Sequence, residues 1–121
     1  MASTNIHSIK FTLGKALTYI CDPQKTQNRK LVSSVNCQPD YAEMEFDYTR
    51  RTMNPNVKLL AFHAVQSFVP GEVTPEQAHE IGLETMKKWL KDEYEFVIAT
   101  HVDKNHIHNH IIFNAASFVD H

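Results

Sequence analysis

The sequence predicts an α+β domain, a mostly antiparallel sheet with helices on one face, in the order β-α-β-α-β-α-β-β. Stretches in which apolar and polar residues alternate take turns with stretches whose apolar residues recur every three or four positions. The 121 residues are 42% hydrophobic and 21% charged, enough for one domain around a single core. No internal repeat, low-complexity tract or linker interrupts them.

The elements follow in order. "NIHSIKF" (5–11) alternates as a short strand. "LGKALTYI" (13–20) places Leu13, Ala16, Leu17 and Ile20 on one helical stripe. "DPQKTQNRK" is a polar turn region around Pro23, and "KLVSSVNC" (30–37) is a strand rich in β-branched and small residues. Residues 39–53 form a helix with Pro39 at its start and acids in its first two turns, ended by "NPN". "VKLLAFHAVQSF" (57–68) is a strand. Residues 74–93 are the clearest helix: Thr74 and Gln77 make a capping box, Pro75 suits the first turn, and Ala78, Gly82, Met86, Trp89 and Leu90 form the buried stripe. Two strands, 94–102 and 106–118, close the domain around a tight turn near "DKN".

A net charge of −2 is not the footprint of a strongly basic nucleic-acid binder. The charge is uneven, however. Residues 1–38 hold five Lys/Arg (Lys10, Lys15, Lys25, Arg29, Lys30) against the single acid Asp22, so a local basic surface is compatible with the total. No apolar run approaches the ~20 residues that span a bilayer. The first ten residues hold no apolar signal core, so a cytoplasmic protein is expected. Cys21 and Cys37 lack CxxC spacing and read as two reduced thiols.

"HVDKNHIHNHIIFN" (101–114) holds four of the eight histidines. Residues i and i+2 of a strand share a face, so His106, His108 and His110 point together, with Ile112 and Asn114 beyond them. Ile107, Asn109, Ile111 and Phe113 point the other way, toward the helices. If Phe96 and Ile98 also meet the helices, His101 joins the open face. Antiparallel neighbours bring Cβ atoms within about 4.5–5.5 Å. Histidines from two strands can then converge on one metal ion, with coordination positions left for water or substrate. Asp103 stands ready to accept a hydrogen bond from a ligand's second ring N–H. A polar surface strand without any ligand is the alternative these residues leave open.

The pattern His101-x-Asp103, then His108-x-His110, then Asn114, resembles the third motif of the relaxase/mobilisation nucleases, members of the HUH endonuclease group. "KALTYICDPQKT" (15–26) is similar to the family's first motif, and "HAVQSFVPGEVTPEQAHEIG" (63–82) to its second. Three blocks in the family's order cover nearly the whole chain. The resemblance implies a ferredoxin- or palm-like sheet carrying the histidines. It implies that His101, His108 and His110 hold a divalent cation, Mg²⁺ or Mn²⁺, that Tyr19 is the nucleophile, and that Ser67 lies near the DNA backbone. It implies site-specific nicking and strand transfer of single-stranded DNA at an origin of transfer, with accessory relaxosome proteins and a coupling protein as partners and no membrane. His106 is an extra histidine between the ligand positions. Relaxase domains usually run well past the asparagine-containing strand, so a domain cut short at its C-terminus is expected.

On these residues the chemistry is transesterification through a 5′-phosphotyrosine. Tyr19 lies roughly 120° from the apolar stripe of its helix and is not obliged to be buried. Tyr41 and Tyr48 sit in an acid-rich helix on spacing that also suits burial. Asp103, His106 and His63 are the candidate proton acceptors, and Lys15, Lys25 and Arg29 the candidate phosphate contacts. Three rivals stay open: a rolling-circle initiator or transposase of the same group, a metal- or DNA-binding fragment without turnover, and a metal-dependent hydrolase for which Tyr19 is irrelevant.

Overall fold

The computed structural model describes residues 3–119. Five strands, β1 (Ser3–Ile9), β2 (Val32–Val35), β3 (Ala61–Ser67), β4 (Phe96–His101) and β5 (His108–Asn114), form one sheet in the order β1-β3-β5-β4-β2. Every neighbouring pair is antiparallel. Three helices complete the expected order: α1 (Leu13–Ile20), α2 (Ala42–Met53, entered through a 3₁₀ turn at Pro39–Tyr41) and α3 (Pro75–Leu90).

The helices do not share one face. Leu13, Leu17 and Ile20 of α1 and Ala42 and Phe46 of α2 pack with Ala61, Val97, Ala99 and Ile112. Met86 and Leu90 of α3 pack on the opposite face with Ala64, Phe96, Ile98, Ile111 and Phe113. The reason lies in β4, where all six residues are buried. A strand that is apolar on both faces needs cover on both. The histidine face is therefore not an open sheet surface. It is roofed by α1 and α2 over part of its area and accessible over the rest, including the exposed His7 of β1.

Strand ends retreat from the sequence expectation. The first strand begins at Ser3 and stops at Ile9, because Thr12 turns the chain through a left-handed φ of 58° into α1. Residues 57–60 lie outside β3, held by a turn in which Val57 N–H donates to Asn54, and by one bond from Leu60 N–H to Ile9. The second strand shrinks to Val32–Val35 between the turn that closes on Thr26 and the left-handed Asn36. The capping box of α3 is present, with Thr74 accepting from the Gln77 N–H and Gln77 accepting from the Thr74 N–H. Lys91 and Asp92, both left-handed, end that helix three residues before the expected boundary.

The buried stripe of α3 includes His79, and Trp89 is half exposed with its ring edge against Phe113. His79 belongs to a polar chain between helix and sheet. Ser33 Oγ lies 2.6 Å from His79 Nε2, and His79 Nδ1 lies 2.8 Å from Thr100 Oγ1. Thr100 donates to Asn109 Oδ1, and Asn109 Nδ2 donates to Gln66 Oε1 and the Ala78 carbonyl. Thr100 spends its one proton on Asn109, so it accepts from His79 Nδ1–H, and Ser33 then donates to Nε2. Among the described residues no buried side-chain nitrogen or oxygen is left without a partner.

Gly82 permits this arrangement. A Cβ there would lie 2.5 Å from Asn109 Nδ2 and 2.5 Å from Ile98 Cδ1. Gly82→Ala is expected to lower stability by about 1–3 kcal/mol, as overpacking of a filled core does. Thermal melts of the two proteins followed by circular dichroism check this; an unchanged or raised midpoint would refute the packing described here.

Candidate active site

Strand register assembles the site. Opposite His101 of β4 stands His108 of β5, and opposite His108 on the far side stands Ser67 of β3. His110 lies between Ala99 and Val65, and the next row on the same face places Ile112 beside His63, which faces His7 of β1. Five histidines from four strands thus share one face. Ring centroids are 4.1 Å apart for His101 and His110, 5.1 Å for His63 and His110, 6.4 Å for His108 and His110, and 4.9 Å for His7 and His63. The sequence named His101, His108 and His110 as ligands and His63 as a candidate proton acceptor; His7 gave no signal in sequence because it is isolated, and only sheet pairing brings it near.

His106 is not in the strand. It lies in the exposed connection before β5, its ring 6.0 Å from that of His108. The turn consumes residues up to Ile107, whose carbonyl accepts from Phe68 N–H.

Tyr19 occupies the last turn of α1 and is 52% exposed. Its ring meets His101 edge-on at 5.6 Å and His110 at 6.2 Å. The placement follows from the helix: Leu13, Leu17 and Ile20 enter the core, and Tyr19 falls beside that stripe, over the accessible part of the sheet. His101 fixes the junction. Its Nε2 lies 2.8 Å from the carbonyl oxygen of Ile20. That carbonyl is in the final turn of α1, where no intrahelical N–H is available to it. The ring N–H of His101 therefore caps the helix that carries the phenol, and Nδ1 keeps its lone pair.

Lys25 lies 5.4 Å from the centre of the Tyr19 ring and 2.8 Å from a carboxylate oxygen of Asp103. The hydrogen bond from Lys25 holds Asp103 below the usual carboxylate range. The same bond raises Lys25. The carboxylate thus serves the lysine, while the His101 ring N–H goes to the Ile20 carbonyl. Of the remaining candidates, Lys15 is exposed on α1, and Arg29 pairs with Asp40 at 2.8 Å beside a cleft of about 300 Å³ lined by Thr18, Cys21 and Glu43. Tyr41, in the 3₁₀ turn, and Tyr48, on α2, are 56% and 68% exposed, and α2 packs on the sheet through Ala42 and Phe46.

Burial pushes His110 down to about 3 and His63 down to about 4, with neighbouring imidazoles adding to both. His101 is lowered by burial too, opposed by its bond to Ile20. Neutral rings are what a metal requires of imidazole. Among the described residues no three side chains are already closed around a common point as ligands. The donor set nonetheless suits a divalent ion: His101 and His110 are neutral, and His101 has one nitrogen free and the other held by a backbone carbonyl.

No helix among the described residues is long and apolar enough to cross a membrane. Residues 19–121 match the family model described as "Relaxase: MobA/VirD2-like, nuclease domain". The chain is 39% identical over 125 aligned positions to the group II intron-interrupted relaxase LtrB of Lactococcus lactis subsp. cremoris, covering 82% of this chain and 22% of that protein. It is 37% identical over 115 positions to a Staphylococcus aureus protein named rlx, covering 95% of this chain and 34% of the relative. The chain thus spans between about a fifth and a third of the length of these relatives. With the histidine rows, the capped helix and the phenol beside them, these matches settle the family: the chain belongs to the MobA/VirD2-like relaxases, as part of their nuclease domain.

Proposed function

We propose that this domain nicks single-stranded DNA at an origin of transfer and transfers the strand through a covalent tyrosine intermediate, the step that initiates mobilisation of a plasmid or integrative element. The observation that carries the reading is the placement of an exposed phenol, Tyr19, edge-on to His101 and His110 with the Lys25 ammonium 5.4 Å from its ring. No other tyrosine has a ring contact with a histidine among the described residues.

Tyr19 Oη bonds to the scissile phosphorus, and the bond from phosphorus to the 3′ oxygen breaks. The phenol gives up its proton and the departing 3′ oxygen takes one, so protons and bonds balance across the step. The product is a 5′-phosphotyrosine with a free 3′-hydroxyl, and reversal on another 3′ end rejoins the strand. Attack by a phenol needs an acceptor for its proton. Lys25 places positive charge beside the ring, where the negatively charged phosphate must dock. Asp103 keeps that ammonium in place, and Asp103 and the exposed His106 are the proton acceptors within this part of the site. Ser67, level with His108, faces the incoming backbone; Lys15, Lys25 and Arg29 supply the phosphate contacts.

His101, His108 and His110 would hold the divalent cation, Mg²⁺ or Mn²⁺. When bound, that ion supplies Lewis-acid stabilisation of charge on the non-bridging phosphate oxygens. The chain's own contribution includes His101 and His110, kept neutral by burial, which leave the full positive charge of the ion available.

Incubating the protein with single-stranded origin DNA and Mn²⁺ is expected to give a protein–DNA adduct that survives denaturing electrophoresis. Tyr19→Phe should lower adduct formation by at least ~10³-fold while DNA binding stays within a few-fold, since only a transition-state group is removed. Cleavage without adduct, unchanged in Tyr19→Phe, would replace this reading with water-driven hydrolysis. DNA binding with neither outcome would leave a non-catalytic fragment.

The neutral rings also predict a pH dependence. In the unfolded chain histidine binds a proton near 6.5; folded His63 and His110 do so only near about 4 and about 3. Between those values the unfolded chain holds more protons, so stability is fully present above about pH 6.5 and is lost as the pH falls. Urea midpoints measured with chelator present should decline from pH 7 to pH 4, and less steeply in His110→Asn. Parallel slopes for the two proteins would show that His110 is not the titrating group.

A further inference from the structure

His110 Nδ1 lies 2.9 Å from His63 Nε2. One proton is shared between these two nitrogens, and its position decides what His110 can do. If His63 donated it, neutral His110 would carry its own proton on Nε2, and neither of its nitrogens would have a lone pair to offer. If His110 donates from Nδ1, its Nε2 is left with a free lone pair, and His63 carries its proton on Nδ1. Only the second arrangement is compatible with a ligand role.

We propose that His63 is a positioning residue: it accepts the Nδ1–H of His110, fixing that ring's orientation and the tautomer that presents Nε2 to the divalent cation. The inference rests on the metal reading given above. Its geometric basis is independent of it. His63 sits mid-strand in β3, paired on both sides, with Ile112 of β5 and His7 of β1 as its partners. The His7 ring lies against it at 4.9 Å with a 52° tilt, on the side away from His110. No other hydrogen-bond partner of His110 is found among the side chains described, so the acceptor duty falls to His63. A carboxylate or backbone carbonyl commonly takes this duty for a ligating histidine. His101 follows that rule through the Ile20 carbonyl, and His110 meets the same need with a second imidazole.

The test uses the whole chain, uniformly ¹⁵N-labelled and metal-free. Long-range ¹H–¹⁵N correlation spectra should show His110 with its proton on Nδ1 and His63 with its proton on Nδ1. Calorimetric titration with Mn²⁺ alone should then give an affinity that falls 10- to 100-fold in His63→Leu. His63→Gln, whose amide carbonyl restores an acceptor, should recover most of it. If His63→Leu does not fold, the wild-type tautomers and the His63→Gln affinity still decide the matter. A proton on His110 Nε2 overturns the assignment and removes His110 from the ligand set, whereas Mn²⁺ affinity unaltered in a folded His63→Leu overturns the assignment while leaving the metal reading intact. Failure of the wild-type chain to take up Mn²⁺ overturns both.

Discussion

The register of β4 against β5 is the constraint on which the rest of the structure depends. Side chains alternate between faces, so a slip of one residue would carry His108 and His110 to the side of α3 and bring Asn109 into their place. The Thr100–Asn109 pair prevents that slip. It lies between the His101–His108 and Ala99–His110 pairs, fully buried, with a 2.6 Å bond joining the two side chains. Either residue shifted by one place would leave a polar group buried without a partner, at a cost of about 1–3 kcal/mol. Gln66, Ala78 and His79 extend the same bonding to β3 and α3, so helix and sheet cannot slide independently. The polar layer under the sheet thereby specifies the histidine layer above it.

A second coupling runs from the sheet to the phenol. His101 is a member of the imidazole cluster and also the cap of α1, through its bond to the Ile20 carbonyl. The helix is only eight residues long and has no side-chain cap at its N-terminus, so by itself it would be marginal. Its apolar residues in the core, Leu13, Ala16, Leu17 and Ile20, and this bond hold it. Because Tyr19 precedes Ile20, the bond that satisfies the helix end also sets the distance from phenol to cluster. Burial lowers the proton affinity of His101, and the carbonyl at the negative end of the helix partly restores it.

Much of this was readable from the residues, and the failures have physical causes. The bounds of α1 and the capping box of α3 matched because helix periodicity and caps are local signals. The alternation of His108, His110, Ile112 and Asn114 matched because the pleat enforces it. The placement of helices on one face did not hold. Val97 and Ala99, apolar residues on the histidine side, already demanded a second cover, and continuous burial of β4 confirms it. His106 was drawn into the strand by its spacing, whereas the length of the connecting turn decides where pairing starts. Trp89, expected in the buried stripe, is half exposed, because a large ring can lie along the rim of a core, while His79, with two hydroxyl partners, enters the core. The partner of Asp103 was invisible in sequence, being seventy-eight positions away.

That distant partner explains an otherwise costly loop. Gln27, Asn28 and Arg29 are three consecutive residues in the left-handed region, at φ of 53°, 58° and 68°. For residues other than glycine each carries a cost of about 1–2 kcal/mol, least for asparagine. The conformation survives because its ends are fixed. Thr26, fully buried, donates to the Asp22 carbonyl and accepts from Arg29 N–H. Val102 N–H donates to the Lys25 carbonyl and Thr100 N–H to that of Leu31, so both ends of the loop are stitched to the far end of β4. A relaxed loop would have no reason to hold Lys25 there. The left-handed turn reverses the chain within a few residues, which keeps the Lys25 ammonium between the Asp103 carboxylate and the face of Tyr19. Backbone strain in this segment is thus offset by the bonds at its ends, and what it secures is a fixed positive charge beside the one exposed phenol that meets the histidines.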